Sequence, residues 1–554
     1  MTLPFAAFAS DSASSWGHSQ YARPDEFKTS IRTWLKKEGI NRDHPLSKLI
    51  IRNYFFDTIM PTFDPQVNLD QPLSRSLEDF WIKATWKALT DPSFNKENYP
   101  ELYSFLGEHF FRNGERFVDD EAARLSKLSE GKIRWLRSNT EAWYARHQLV
   151  QSAKQTLYVQ YFILSDDIFG LSFLEQLRQK ALEGVKVKLM LDARGAWSMY
   201  KPWRPSVLSA LADAGVEIRL YNSWIFSGAF AHPFAANHDK IIVVDHQDFI
   251  VGGRNISKDY FPEPEDHHRV FEDGDVVGRS STEAMRYILA FNEEFYSGNT
   301  THLRDELTYA SPQTVSWLKN SLPAMEEWMF TDHMDSEWIS QYPELKQYPR
   351  LKGYDFGELF RGAHQVLMKA VDSNSVYGPR NDLVDLLYFM IQSAQKRILI
   401  HTPYAVLTPT QRKLLVEASQ RGVRIQITTN SYGSSDIPFP VKILKGEWKK
   451  LMSDMPTLEI YMAKGPERLH QKLYVFDDEH TVVASSNLDS MSEVTDSEVG
   501  VYVRSAEFNS ELSAWMESFT ARKTVLLPRP LPGDDVDKPD FIYFILNWFF
   551  RLLM

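Results

Sequence analysis

The alternation of apolar and polar positions changes character along the chain. From Asp25 the apolar residues Phe27, Ile31, Trp34 and Leu35 recur at helical spacing, and residues 46–60 repeat that density. Residues 80–145 continue as mostly helical text. At residue 157 the rhythm shifts to short apolar strands separated by helices. Residues 157–163, 185–191, 216–220 and the run 241–244 read as strands, with helices over 172–183 and 206–214. The same order returns with helices over 383–395 and 410–420. Strands then read over 397–402, 423–429, 458–462 and 473–476. Glu183-Gly184-Val185 and Arg421-Gly422-Val423 occupy equivalent helix-to-strand turns. Strands alternating with helices predict sheets covered by helical layers. The chain therefore reads as an α/β protein with two fused α/β/α halves of ~150 residues each, a repeat too long for a solenoid. The halves span 146–300 and 376–527, after an N-terminal mostly helical region over 1–145. Residues 301–375 form a link long enough to carry structure of its own, positioned to roof a cleft. Residues 528–540, with Pro528, Pro530, Pro532 and several Asp, read as a linker.

The candidate chemistry sits at the strand over 241–244 and its twin. His238, Lys240 and Asp245 form a His-x-Lys-x4-Asp pattern, and Asn255 follows the His by 17 residues. His470, Lys472, Asp477 and Asn487 repeat every one of those spacings. A lone histidine on an apolar strand is ordinarily a satisfied core residue. Two matched copies reverse that reading. Residues i and i+2 of a strand share a face, so each His projects with its Lys, while each Asp points elsewhere and reads as a strand-end support. Imidazole, ammonium and amide together suit an anionic, oxygen-rich group such as phosphate. Two histidines can supply a nucleophile and a proton donor for cleaving a phosphodiester. Lys240, Lys472, Asn255 and Asn487 would hold its oxygens.

At these residues the chain resembles the phospholipase D superfamily, whose signature is this duplicated pattern. Gly252-Gly253-Arg254-Asn255-Ile256, Tyr260-Phe261 and Asn487-Leu488-Asp489 look most like its cardiolipin synthase branch. The resemblance implies two phospholipase D-like halves and a phosphohistidine intermediate, with His238 as nucleophile and His470 as general acid/base. It also implies that a carboxylate orients the histidine of the opposite half, which would pair Asp275 with His470 and Glu498 with His238. The activity implied is phosphatidyl transfer that makes cardiolipin-type lipids from phosphatidylglycerol and another phospholipid. A phospholipase D using water, a nuclease and a silent membrane scaffold are the alternatives. The second half departs from the branch at Ala484-Ser485 (for Gly-Ser), Met491 (for Arg) and Asp496 (for Asn), which leaves acceptor preference open.

Charge and composition narrow the partners. The formal net charge is −11, against a nucleic-acid partner. There is no Cys, which removes disulfides and thiol nucleophiles. No cofactor and no metal are expected; His267-His268 beside Glu265 and Asp266 read as solvated loop residues. Ser434-Ser435-Asp436 reads as a turn, with a place at the cleft's border as the alternative. The expected partners are a phospholipid substrate and a membrane surface. The last stretch, from Phe541 to Met554, is almost wholly apolar, with Tyr543, Asn547 and Arg551 four apart on one stripe. A helix there would be about 21 Å long, too short to span a bilayer but suited to lying in its interface. This predicts peripheral or monotopic attachment, at a bacterial inner membrane or, for a secreted effector, at a target membrane. Oligomeric state is not legible.

Overall fold

The computed structural model describes residues 128–529, apart from 201–205, 223–234, 267–269, 297–299, 304–308, 332–336 and 374–381. The expected helices before residue 128, the linker from residue 530 and the stretch 541–554 lie outside the described residues. So do His267 and His268.

The strands are β1 (Ser129–Leu136), β2 (Thr156–Tyr161), β3 (Lys186–Asp192), β4 (Glu217–Tyr221), β5 (Lys240–Val244), β6 (Asp248–Gly252), β7 (Phe271–Glu272), β8 (Asp275–Arg279) and β9 (Thr300–His302) in the first half. The second half has β10 (His364–Ser373), β11 (Arg397–His401), β12 (Arg424–Asn430), β13 (Leu458–Ala463), β14 (Arg468–Leu469), β15 (Leu473–Phe476), β16 (His480–Ala484), β17 (Glu498–Arg504) and β18 (Thr524–Leu526). Sixteen of them make one sheet, in the order β18-β13-β12-β11-β15-β16-β17-β10-β1-β8-β6-β5-β2-β3-β4-β9. Each half supplies eight strands in matching order from the outside inward, so the sheet reads alike from either edge. The halves meet at the antiparallel pair β1–β10, where Ile133 lies opposite His364 and Ser129 opposite Met368.

Strand periodicity sorts the core into two faces. Ile242 and Val244 of β5 pack with helices Asn139–Ser152, Ile168–Leu182 and Val207–Asp213. Ile241 and Val243 pack on the opposite face with Ile288 of helix Ser281–Phe295. Tyr474 and Phe476 of β15 face helices Asp382–Ser393 and Pro409–Gln420. Leu473 and Val475 join the core that holds Ile241, Val243 and Leu512 of helix Ala506–Lys523. One layer of the core therefore belongs to both halves. Local signals end the elements as their residues dictate: Asp167 caps Ile168–Leu182, and Thr408 with Gln411 forms a capping box for Pro409–Gln420. Gly184 (φ 93°) and Gly422 (φ 86°) turn the chain from helix to strand in the left-handed region.

Two boundaries read from the sequence are corrected. Residues 129–145 are not part of a separate helical region: β1 lies at the sheet centre, and helix Asn139–Ser152 packs in the first-half core. The link 301–375 carries structure of its own in its described parts, as its length suggests. Helix Pro312–Phe330 adds a layer outside the first half, with Leu318, Met325, Trp328 and Met329 in the same core as Trp143 and Phe169. Tyr144 donates its hydroxyl to the carbonyls of Met329 and Leu351, at 3.1 and 2.6 Å. The end of the link is β10 itself.

Candidate active site

His238 stands two residues before Lys240, the first residue of β5; His470 stands two residues before Lys472, which immediately precedes β15. Both pairs come together because each histidine's strand extension crosses to the other half. The His238 amide donates to the Ser497 carbonyl (3.1 Å), and the Ser497 amide to the Ala236 carbonyl (2.9 Å). The mirror contact is β14 running parallel to β7, with the His470 amide donating to the Glu272 carbonyl (2.8 Å). The residue after each accepting carbonyl carries a carboxylate. Glu498 lies against His238 Nδ1 through both oxygens, at 3.0 and 3.1 Å. Asp273 lies against His470 Nδ1 at 2.6 Å.

The pairing of Asp275 with His470 is therefore corrected: Asp273 takes that place. The strand register explains why. Gly252 pairs with Asp275 across β6–β8, and Ala484 pairs with Gly500 across β16–β17. Gly252 and Ala484 each follow their histidine by 14 residues, so Asp275 matches Gly500 and Asp273 matches Glu498. Asp275 instead anchors two buried arginines, Arg146 Nη2 (2.9 Å) and Arg254 Nη1 (3.0 Å). Arg254 Nη2 in turn donates to Asn139 Oδ1 at 2.9 Å.

Asp245 and Asp477 sit at the far ends of β5 and β15, in the left-handed region at φ 49° and 50°. Asp245 accepts from the amides of Lys154, Gln155 and Thr156. Asp477 accepts from those of Gln395, Lys396 and Arg397. Each fixes the start of a neighbouring strand and faces away from the histidines. Asn255 Oδ1 accepts from the Ile163 amide (3.0 Å), and its Nδ2 donates to the Tyr260 hydroxyl (2.9 Å), leaving one N–H uncommitted. The Asn487 side chain hydrogen-bonds Asp489. Behind the histidines, Asp192 accepts from the Asn237 amide (2.9 Å) as Asn430 accepts from the Leu469 amide (3.0 Å).

Burial sets the electrostatics. It pushes His238 down to about 4, with Glu498 opposing and Lys240 adding to the shift. His470 is also lowered, by burial and then by Lys472. Burial brings Lys240 down to about 7, against the pull of Glu498. Burial alone would raise Asp273, but Lys472 and His470 together hold it at about 2. Glu498 is likewise held below its ordinary value: burial raises it, and His238 and Lys240 outweigh that. Lys472 Nζ lies 2.7 and 3.2 Å from His470 Nδ1 and Nε2. With each Nδ1 engaged by a carboxylate, each Nε2 is the nitrogen left for chemistry. Aromatic walls complete the site: Phe162 stands edge-on to His238 (5.2 Å), and Tyr260 and Phe271 stand edge-on to His470 (5.4 and 5.0 Å). Among the described residues no group of three or more His, Cys, Asp or Glu could hold a metal.

Sequence reasoning missed Asp273, Phe162 and Phe271. The only signal for Asp273 was its place two residues before Asp275 on the same strand face. Ser434-Ser435-Asp436 does form a turn, and Asp436 also borders the site, accepting from the Tyr404 hydroxyl at 2.8 Å.

With that geometry in hand, the relatives are informative. A family model described as the PLD-like domain of cardiolipin synthase matches residues 147–286 and 387–520. The probable cardiolipin synthase YwiE of Bacillus subtilis (strain 168) is 24% identical over 445 residues, covering 78% of this chain and 74% of its own. Cardiolipin synthase C of Escherichia coli (strain K12) is 25% identical over 406 residues, covering 67% of this chain and 80% of its own. The crystal structure of phosphatidylserine synthase from Haemophilus influenzae Rd KW20 superposes with a TM-score of 0.53 at 14% identity, over 78% of this chain and 97% of that one, a likeness of fold.

Proposed function

Since the chain belongs to the phospholipase D superfamily, in its cardiolipin synthase-like branch, we propose that it is a phosphatidyltransferase making cardiolipin-type lipids from phosphatidylglycerol and another phospholipid. The observation that carries this reading is the convergence of two His–Lys pairs, each histidine backed by a carboxylate from the opposite half. His238 Nε2 attacks phosphorus, forming a P–N bond as the P–O bond to the leaving headgroup breaks. His470 Nε2 gives that oxygen its proton. The acceptor hydroxyl then returns a proton to His470 and attacks phosphorus, and the P–N bond breaks. Lys240, Lys472, Asn255 and Asn487 hold the non-bridging oxygens. His238 is unprotonated at neutral pH, as a nucleophile must be. His470 is lowered by burial first and then by Lys472, which repels its proton. An anionic phosphodiester between the two lysines offsets that repulsion and restores the acid.

Purified protein with phosphatidylglycerol vesicles should yield cardiolipin and glycerol, read by mass spectrometry. His238→Ala and His470→Ala should each abolish turnover nearly as fully as the double change, because the residues act as a unit. Quenched protein should carry phosphorus on the peptide containing His238. Phosphatidic acid as the sole product would make the enzyme a hydrolase.

For the membrane, the reading rests on residues 541–554. No helix among the described residues is long and apolar enough to cross a bilayer. Arg551 is the tail's one cation, so attachment through its apolar face should resist salt. Deleting 541–554 should release the protein from vesicles at any ionic strength. Continued sedimentation would place the anchor elsewhere, with residues 46–60 next.

A further inference from the structure

The His470 side of the cleft carries a pair that the described residues of the first half do not repeat. Tyr404 is buried, Asp436 is exposed, and the hydroxyl of one donates to Oδ1 of the other at 2.8 Å. Asp436 Oδ2 has no hydrogen bond among the described residues. A single side chain ties this pair to the catalytic histidine: Asn430 Nδ2 donates to the carbonyls of Pro403 (3.2 Å) and Leu469 (2.7 Å), and its Oδ1 accepts from the Leu469 amide. Pro403 precedes Tyr404, and Leu469 precedes His470. Thr429 Oγ1 fastens the Pro403 carbonyl again at 3.1 Å, and Thr402 Oγ1 donates to the Tyr404 carbonyl at 2.8 Å. The turn carrying Asp436 is also fixed, with the Ser431 amide donating to Ser434 Oγ (2.9 Å) and that hydroxyl to the Ala463 carbonyl (3.2 Å). The carboxylate acts electrostatically on His470, Lys472 and Tyr260.

Register shows the asymmetry. His401 pairs with Leu473 and Gln160 with Ile241, so Tyr404 corresponds to Ile163 in the first half. Asn430 corresponds to Asp192, and the position six residues beyond Asp192 is Ser198, not a carboxylate. Among the described residues, the His238 side thus shows no carboxylate at the place that Asp436 takes on the His470 side.

We propose that Asp436, aligned by Tyr404, is a hydroxyl-binding subsite that selects a polyol as the acceptor alcohol. This rests on the transferase reading above. A carboxylate only accepts hydrogen bonds, so it takes a donor hydroxyl and turns away a second phosphate. An acceptor with two neighbouring hydroxyls can give one to His470 for attack on phosphorus and the other to Asp436. Water, or an alcohol with one hydroxyl, reaches only the first. The proton of the attacking hydroxyl goes to His470, and the P–N bond to His238 breaks as the new P–O bond forms.

The test uses the full chain and phosphatidyl-p-nitrophenol in mixed micelles, whose leaving group is not a polyol, with glycerol and 1-propanol competing in one reaction. The ratio of phosphatidylglycerol to phosphatidylpropanol reads acceptor choice from a common intermediate. It does not depend on how much of a variant folds or on the speed of the first step. Wild type should favour glycerol, and Asp436→Asn and Asp436→Ala should lower the ratio about tenfold, as loss of a charge-assisted hydrogen bond implies. Tyr404→Phe should lower it less. A ratio unchanged in both Asp436 variants, while wild type transfers to both alcohols, overturns the subsite. Wild type that forms neither alcohol product overturns the transferase reading, and the subsite with it.

Discussion

Asp273 and Asp275 stand two residues apart on one face of an extended segment, and the difference between them shows where reading the residues alone stops. Both are buried acids downstream of the first motif, and periodicity cannot choose between them. Choice requires the register of β6 against β8, a long-range fact. The two His–Lys pairs were legible because their spacing repeats within the chain; the orienting carboxylates follow loops of unequal length. The aspartates now predict separable defects. Asp273→Asn should leave the fold intact and lower kcat by ~10²–10⁴, because His470 loses the acceptor that sets its tautomer. Asp275→Asn strips the buried Arg146 and Arg254 of their counter-ion, so it should cost about 3–5 kcal/mol of stability in urea titrations. Equal catalytic loss in a fully stable Asp275→Asn protein would reverse the assignment. The same site predicts a pH profile. As the proposed nucleophile, His238 could attack only above about 4, where its proton leaves. Lys240 loses its charge above about 7. The kcat/KM on a short-chain donor should therefore rise through the first value and fall through the second. A profile flat from pH 5 to 9 contradicts the second limb.

Elements with strong local signals agree with their sequence: capped helices, glycine turns and apolar strands fall within a few residues of expectation. Those that escaped have mixed patterns. In β1 the charged Lys132 and Arg134 alternate with the buried Ile133 and Trp135, so the apolar pattern is short and heavily charged. Helix Pro312–Phe330 contains Pro323, a helix breaker, yet tertiary packing holds the helix through it. The short π-helical turn Met491–Thr495 has no sequence signature. Asp489 fastens it, accepting from the Ser492 amide at 3.0 Å, while Ser492 Oγ accepts from the Asn487 amide at 3.0 Å. Burial lifts Asp489 to about 6, against the hydrogen bond from Ser492. A carboxyl raised on folding contributes stability that is fully present below its unfolded value, near 3.9, and lost as pH rises through about 6. That loss is roughly 3 kcal/mol. Asn accepts the same amide without titrating. Melting temperatures of Asp489→Asn should therefore gain on wild type between pH 4.5 and 7. A difference independent of pH would mean that Asp489 does not titrate in this range.

At the scale of the whole molecule, duplication explains both the site and the dependence of each half on the other. Each half repeats one strand order, and the two close on a seam, β1 against β10, so that the sheet is continuous. The candidate active site lies where each half lends its carboxylate to the other's histidine, so neither half alone can form it. The seam was not legible, because β1 falls in text that resembled the helical region before it. Its position makes a sharp prediction about where the catalytic body begins. A chain starting at Leu128 keeps β1 and should fold and act on a short-chain, monomeric donor. A chain starting at Arg146, the boundary suggested by the repeat, loses β1 and part of helix Asn139–Ser152. That removes Ile133, Trp135 and Leu136, each no more than 2% exposed. At ~1.5–3 kcal/mol apiece, their loss alone rivals the whole stability of a typical domain, about 5–15 kcal/mol. It also bares the edges of β8 and β10 along their full pairing length, which favours aggregation. The shorter chain should therefore be insoluble, and the longer one should give a cooperative melt with turnover. Soluble, active protein starting at Arg146 would show that the two halves dock without the seam, through the histidine–carboxylate crossings and the shared core of Leu473, Val475 and Ile241.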